Sequence, residues 1–150
     1  MFSQQLLSKL SIPNLLIPEP NLMVGGQPSV EDFHLLKQLG ICQVINLRPI
    51  SEKIDFDQVA LLEKLGLEYH IIPLTTLDTF TQDTAIALDK LLGLNQTTLI
   101  HCASGNRVGA LFALRALWLE GLTPNKALDK GLATGLTSYK AGVKKILTLH

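Results

Sequence analysis

This sequence has no excess of either charge: its 150 residues carry 13 Lys plus Arg against 13 Asp plus Glu, so the formal net charge is zero. It offers no basic field to nucleic acid or to an anionic membrane surface, and any attraction for a charged ligand must be local. Aromatics are scarce, with one Trp, two Tyr and five Phe; nothing announces a deep aromatic wall, and a broad or non-protein ligand range stays open. Two cysteines cannot make the disulfide framework of a small secreted domain, so a reducing, cytoplasmic setting is expected. Cys42, in the apolar run from Ile41 to Leu47, reads as a buried small hydrophobe, and a redox bridge from it to Cys102 requires α-carbons within about 7 Å. No apolar run reaches membrane-spanning length, and Met1 to Leu10 lacks the apolar stretch and cleavage site of a secretory leader. His34, His70 and His150 are scattered and no acidic cluster has two-metal spacing, so no metal and no cofactor is expected. Repeats and low-complexity tracts are absent too, and oligomeric state is not written in the sequence.

What is present is a regular alternation of strand and helix signals. Leu22 to Gly25 reads as a short strand, and Ser29 caps a helix over Val30 to Leu39 that Gly40 ends. Strands at Cys42 to Leu47, Tyr69 to Leu74 and Thr97 to His101 alternate with helices at Phe56 to Leu65, Gln82 to Leu92 and Arg107 to Glu120. Further helices follow at about Asn125 to Leu132, with Thr123 as cap and Pro124 at its first position, and at Ser138 to Leu147. The helix from Arg107 is apolar on most faces and should be buried, with Trp118 as packing. The expected fold is a single α/β domain over residues 22–150, with a mostly parallel central sheet and helices on both faces. Residues 1–21 are expected as a lead-in: a short amphipathic turn at Phe2 to Leu10, then an extended, proline-bearing Ser11 to Pro20 lying against the domain.

Leu99-Ile100-His101-Cys102-Ala103-Ser104-Gly105-Asn106-Arg107-Val108-Gly109 places a cysteine at the end of a strand, a short glycine-bearing loop after it, and an arginine where a helix begins. The loop amides of Ala103, Ser104, Gly105 and Asn106, the positive helix end and the Arg107 fork can converge on one oxyanion, and the same field favours ionised sulfur. Attack on a phosphate dianion needs this combination. Cys102 is expected to form the thiophosphate while Arg107 and the amides hold the equatorial oxygens. His101 is expected to orient the loop.

His-Cys, a glycine-bearing loop and an arginine opening a helix resemble the signature of the protein tyrosine and dual-specificity phosphatases. Four residues separate Cys102 from Arg107 where that superfamily usually has five, and Val108 replaces the hydroxyl that normally helps sulfur leave. The shorter loop is similar to that of the beta-lactamase-hydrolase-like phosphatases. Gly25-Gly26-Gln27-Pro28-Ser29, Gly40 to Glu52 with Val44-Ile45-Asn46-Leu47-Arg48-Pro49, and Ala133-Thr134-Gly135-Leu136-Thr137 match that family in order and spacing across about residues 22–147. The resemblance implies a cysteine-dependent phosphatase acting on a phosphorylated protein or small molecule. Such enzymes protonate the leaving oxygen from a neighbouring loop. Asp78, in Thr75-Thr76-Leu77-Asp78-Thr79-Phe80, is the candidate acid; Asp83 competes but suits the first turn of its helix, and Asp55 and Asp57 are weaker choices. Arg48 is placed on a substrate-facing loop, where it either grips a second anionic group or pairs with Glu52. Two other readings stay open. Rhodanese-like sulfurtransferases share the loop length, although Gly121 to Leu128 opens a new helix where they usually carry a glycine-led strand. A phospho-ligand-binding module without turnover is the other.

Overall fold

The computed structural model describes residues 2–149. Its sheet is built from β1 (Leu16–Glu19), β2 (Leu22–Gly25), β3 (Gln43–Asn46), β4 (Glu68–Ile71) and β5 (Thr98–His101), in the order β1-β2-β5-β3-β4. All pairings are parallel except the antiparallel edge pair β1 and β2. Side chains of the inner strands alternate between two cores, as the two-residue strand period requires. Leu22, Val24, Ile45, Leu47, Ile100 and Cys102 face one core, and Met23, Val44 and Leu99 the other. A parallel sheet covered on both sides needs apolar residues at both phases, and these runs supply them.

The helices are α1 (Gln4–Leu7), α2 (Val30–Gln38), α3 (Gln58–Leu65), α4 (Gln82–Leu92), α5 (Asn106–Trp118), α6 (Pro124–Ala133) and α7 (Lys140–Thr148). Residues of α2 and α3 fill the Met23 side, while α4 to α7 fill the Cys102 side. Ser29 and Asp32 close a capping box on α2, Thr81 and Thr84 one on α4, and Thr123 caps α6 with Pro124 following it. Each element expected from periodicity is present, its ends shifted by a few residues at most. Nine residues of α5 are buried, and Trp118 packs partly buried against the same core.

The lead-in does more than lie against the domain. Phe2 and Ile12 are buried in the second core, and the Ser11 amide and hydroxyl donate to the buried Asp32 carboxylate at 2.7 and 2.9 Å. It also supplies β1, which was not expected because Pro18 and Pro20 flank its last residue; at a sheet edge the missing N–H donors cost nothing. Cys42 is not the buried small hydrophobe that its apolar surroundings in the sequence suggest. It is exposed, one residue ahead of β3, with its thiol on the Gly40 carbonyl. Gln43 pairs with Thr98 and Asn46 with His101, so Cys42 and Cys102 lie at opposite ends of adjacent strands, roughly 15 Å apart at about 3.3 Å per residue. A disulfide between them is excluded.

Helix α5 reaches its depth because Gly109 lets the turn after α6 press on it: a Cβ there would stand 2.0 Å from the Leu136 nitrogen and 2.5 Å from its Cα. Gly109→Ala is expected to cost about 3 kcal/mol or more in urea unfolding, since neither backbone can yield freely. Gly93→Ala, whose Cβ would sit at 3.4 Å from carbonyl oxygens with no positive φ, should stay within about 0.5 kcal/mol of wild type.

Candidate active site

Gly25, His101, Asn46 and Ile71 stand in one row across the sheet, so the loops after β2, β5, β3 and β4 all leave from the same edge. In open α/β sheets this is where ligands bind. The loop after the central strand β5 carries Cys102, 1% exposed.

Its shape is dictated by where its carbonyls go. The Cys102 carbonyl lies 3.2 Å from His101 Nδ1, that of Ala103 accepts from the Gln27 amide at 3.0 Å, that of Ser104 from Asn14 Nδ2 at 2.8 Å, and that of Gly105 from the Gly109 amide at 3.1 Å. In a trans peptide the N–H opposes the C=O, so the amides of residues 103–106 turn toward the concave side of the loop. One of them is already engaged: Gly105 N–H donates to Cys102 Sγ at 3.1 Å. Gly105 holds φ +95°, a conformation that glycine reaches without strain. No side chain caps α5, so its first amides are not taken up by a capping side chain.

Arg107 is clamped by Glu52. Its Nη1 meets Glu52 Oε2 at 2.6 Å and the Leu74 carbonyl at 2.9 Å, and its Nη2 meets Glu52 Oε1 at 2.8 Å. Arg48 Nε joins the same carboxylate at 3.1 Å. The hydrogen bond from Arg107 holds the Glu52 carboxyl below its ordinary range despite partial burial, with help from Arg48. Reciprocally, Glu52 keeps Arg107 more firmly protonated, with a smaller contribution from Cys102. Glu52, Arg107, Ser104, Asn106, Thr75 and Tyr139 line a cavity of about 320 Å³ over the loop. Among the described residues no group of three His, Cys, Asp or Glu side chains is placed to hold a metal ion.

Cys102, Arg107 and residues 103–106 stand at this one sheet edge, and the other candidate residues are placed as follows. Asn106 spends its side chain on structure: Oδ1 accepts from the Thr137 and Tyr139 amides at 2.9 and 3.1 Å, and Nδ2 donates to Ser138 Oγ at 2.7 Å. Arg48 takes the Glu52 pairing, donates to Gln27 Oε1 at 3.0 Å, and lines a neighbouring cavity of about 380 Å³ instead of the one walled by Arg107. Asp78 is exposed on a single 3-10 turn, Leu77–Thr79, where its carboxylate takes the Thr76 hydroxyl and does not line the cavity. Asp57 caps α3 and Asp83 sits in the first turn of α4. Four contributing residues lie outside the sequence expectation: Glu52 as the partner of Arg107, Tyr139 as a cavity wall held by its hydroxyl on the Thr75 carbonyl at 2.9 Å, and Gln27 and Gln58, whose side-chain amides stand behind His101. Gln27 sits in the Gly-Gly-Gln-Pro motif, which is the only local signal for any of them.

The fold is that of the protein tyrosine and dual-specificity phosphatase-like proteins. A DUF442 protein from Shewanella putrefaciens CN-32, described as a candidate phosphatase, superposes with TM-score 0.69 at 24% identity, covering 98% of this chain and 97% of that one. The core catalytic domain of the PP-IP phosphatase SIW14 from S. cerevisiae gives TM-score 0.70 at 21% identity, covering 93% and 87%. In sequence the chain is similar to the "Beta-lactamase hydrolase-like protein" of Xylella fastidiosa, 30% identical over 98 residues, 62% of this chain. The match spans only 22% of the length of that relative. No family model matches the chain.

His101 is fully buried, and burial pushes its pKa down to about 4, with the cationic Arg48 and Arg107 adding to the descent. Between pH 6.5 and 4 the unfolded chain therefore binds a proton there that the folded chain refuses, so stability falls as pH drops through that window. The loss should be on the order of 3 kcal/mol. Urea unfolding from pH 7 to pH 4 checks this, and His101→Gln should flatten the slope over the same interval.

Proposed function

We propose that this chain is a cysteine-dependent phosphatase that hydrolyses phosphate monoesters through a phosphocysteine. The observation that supports it most is the outward capture of four successive carbonyls, with the Gly105 amide on Cys102 Sγ and the Arg107 charge acting on the same sulfur. Cys102 thiolate attacks phosphorus, an S–P bond forms and the P–O bond to the alcohol breaks. The amides of residues 103–106 and Arg107 hold the three equatorial oxygens, so the work is positioning and charge stabilisation. Water then attacks phosphorus, inorganic phosphate leaves and the thiolate returns. Glu52 keeps the Arg107 fork aimed while it is shared with the ester.

Asp78 is our candidate for protonating the departing oxygen. Its carboxylate rests on Thr76 in this state, so its turn must swing toward the cavity when substrate binds, as lid loops in enzymes commonly do. The substrate is a phosphorylated protein or small molecule, and the reducing cytoplasm suits a thiolate nucleophile. Helices α6 and α7 after the loop, and neighbours that are phosphatases, favour this over sulfur transfer. Val108 is fully buried in the core, so no hydroxyl follows Arg107 to help sulfur leave, and breakdown of the phosphocysteine is expected to be slow.

Rapid-mix kinetics with an aryl phosphate should show a burst of phenol followed by slow turnover, with phosphocysteine detectable by mass spectrometry. Cys102→Ser should lose activity by on the order of 10⁴-fold. Asp78→Asn should lose about 10²-fold or more on alkyl phosphates and far less on activated aryl esters. Phosphate binding without any burst would instead mark a docking module, and sulfur transfer from thiosulfate to cyanide would mark a rhodanese-like enzyme.

A further inference from the structure

Behind the nucleophilic loop runs a hydrogen-bonded chain whose direction is fixed at both ends. Arg48 Nη1 lies 3.0 Å from Gln27 Oε1, Gln27 Nε2 lies 2.7 Å from Gln58 Oε1, Gln58 Nε2 lies 2.9 Å from His101 Nε2, and His101 Nδ1 lies 3.2 Å from the Cys102 carbonyl. Arginine has donors only, so Gln27 must turn its oxygen to Arg48. Its Nε2 then donates to Gln58, and also to the Pro28 carbonyl at 3.0 Å, which only a nitrogen can satisfy. Gln58 is left with its own Nε2 toward the imidazole, whose Nε2 must accept. From the other end, a carbonyl can only accept, so His101 must carry its proton on Nδ1. Both ends require the same neutral tautomer.

We infer that Gln58, oriented by Gln27 with Arg48 and Pro28 behind it, is a positioning residue that fixes His101 as an Nδ1–H donor clamped on the Cys102 carbonyl, and so holds the Ala103 amide toward the oxyanion. Gln58 touches no reacting atom. It is 5% exposed at the start of α3, and His101 is not exposed at all, so water does not substitute for the amide. Arg48 accordingly acts from behind the site, as a fixed charge at the head of the chain, and not as a grip on a second anionic group. The charges that act on the imidazole are those of Arg48 and Arg107, both paired with Glu52.

This inference rests on the phosphatase reading for its kinetic consequence but not for its geometry, and the test separates the two. Ring ¹⁵N spectra of ligand-free protein, with His101 assigned by its absence from His101→Gln, read the tautomer without any substrate. Wild type should show a neutral ring with the proton on Nδ1 from pH 9 down to about 5. Gln58→Glu, an isostere that replaces the donor by an acceptor, should put a proton on His101 Nε2 at pH 7. Gln58→Met should keep the ring neutral yet lower kcat about tenfold with KM within about twofold, as expected for a loosened transition-state contact. The inference is overturned if the wild-type proton sits on Nε2, if Gln58→Glu leaves Nε2 unprotonated at pH 7, or if Gln58→Met retains full kcat. Should no aryl phosphate be turned over, the phosphatase reading fails alone. The ring spectra and the iodoacetamide alkylation rate of Cys102, slowed several-fold in Gln58→Met if the inference holds and unchanged if it does not, then decide this one.

Discussion

A peptide plane has two faces, and in the loop after β5 every outward face is taken. The acceptors of residues 102–105 are bound by four separate parts of the chain: the imidazole of His101, the backbone after β2, the side chain of Asn14 and the first turn of α5. The amides point the other way because they have no alternative. The backbone just after β2 comes so close that a Cβ on Gly26 would stand 2.5 Å from the Ala103 oxygen, and only glycine permits that approach. The amides opposite those carbonyls, one of them on Cys102 Sγ, stand with Arg107 at the start of a helix that no side chain caps, and so concentrate positive charge locally in a chain of zero net charge.

The cation in that pocket is set by a second shared contact. Glu52 receives both arginines, so one carboxylate fixes the guanidinium beside the sulfur and the one behind the loop. Partial burial would ordinarily raise a carboxyl pKa, and here the hydrogen bonds from Arg107 outweigh it. Arg107 is further tied to the Leu74 carbonyl, which links its aim to the loop after β4 where Asp78 resides. The wall formed by Tyr139 closes the same circuit through Thr75, while Asn106 fastens the loop to residues 137–139. Nucleophile, cation and wall are therefore mechanically connected through short polar bridges.

Much of this was legible in the sequence because it is local. The near-continuous apolar runs Leu22 to Val24, Val44 to Leu47 and Leu99 to Cys102 announce strands buried on both faces, and Ser29, Thr81 and Thr123 announce helix starts that their caps confirm. The order of His101, Cys102, Gly105 and Arg107 announces the pocket. What was not legible depends on meetings between distant segments. Glu52 is four residues from Arg48, so their pairing could be foreseen, but its grip on Arg107, 55 positions away, is a product of the sheet order. Gln27 and Gln58 carry no charge and no motif-level chemistry of their own; they matter only because β2 and α3 bring them behind His101. Cys42 looked apolar in context and lies just outside its strand, and the prolines that disguised β1 are harmless only at an edge.

The pocket itself can be seen directly. A crystal structure with orthovanadate, a trigonal stand-in for phosphoryl in transit, should show vanadium bonded to Cys102 Sγ, its equatorial oxygens on the amides of residues 103–106 and on the Arg107 guanidinium, and Glu52 still bound to that guanidinium. Vanadate bound elsewhere, or a loop whose amides turn away from it while Arg107 stays wholly on Glu52 and Leu74, would contradict the account.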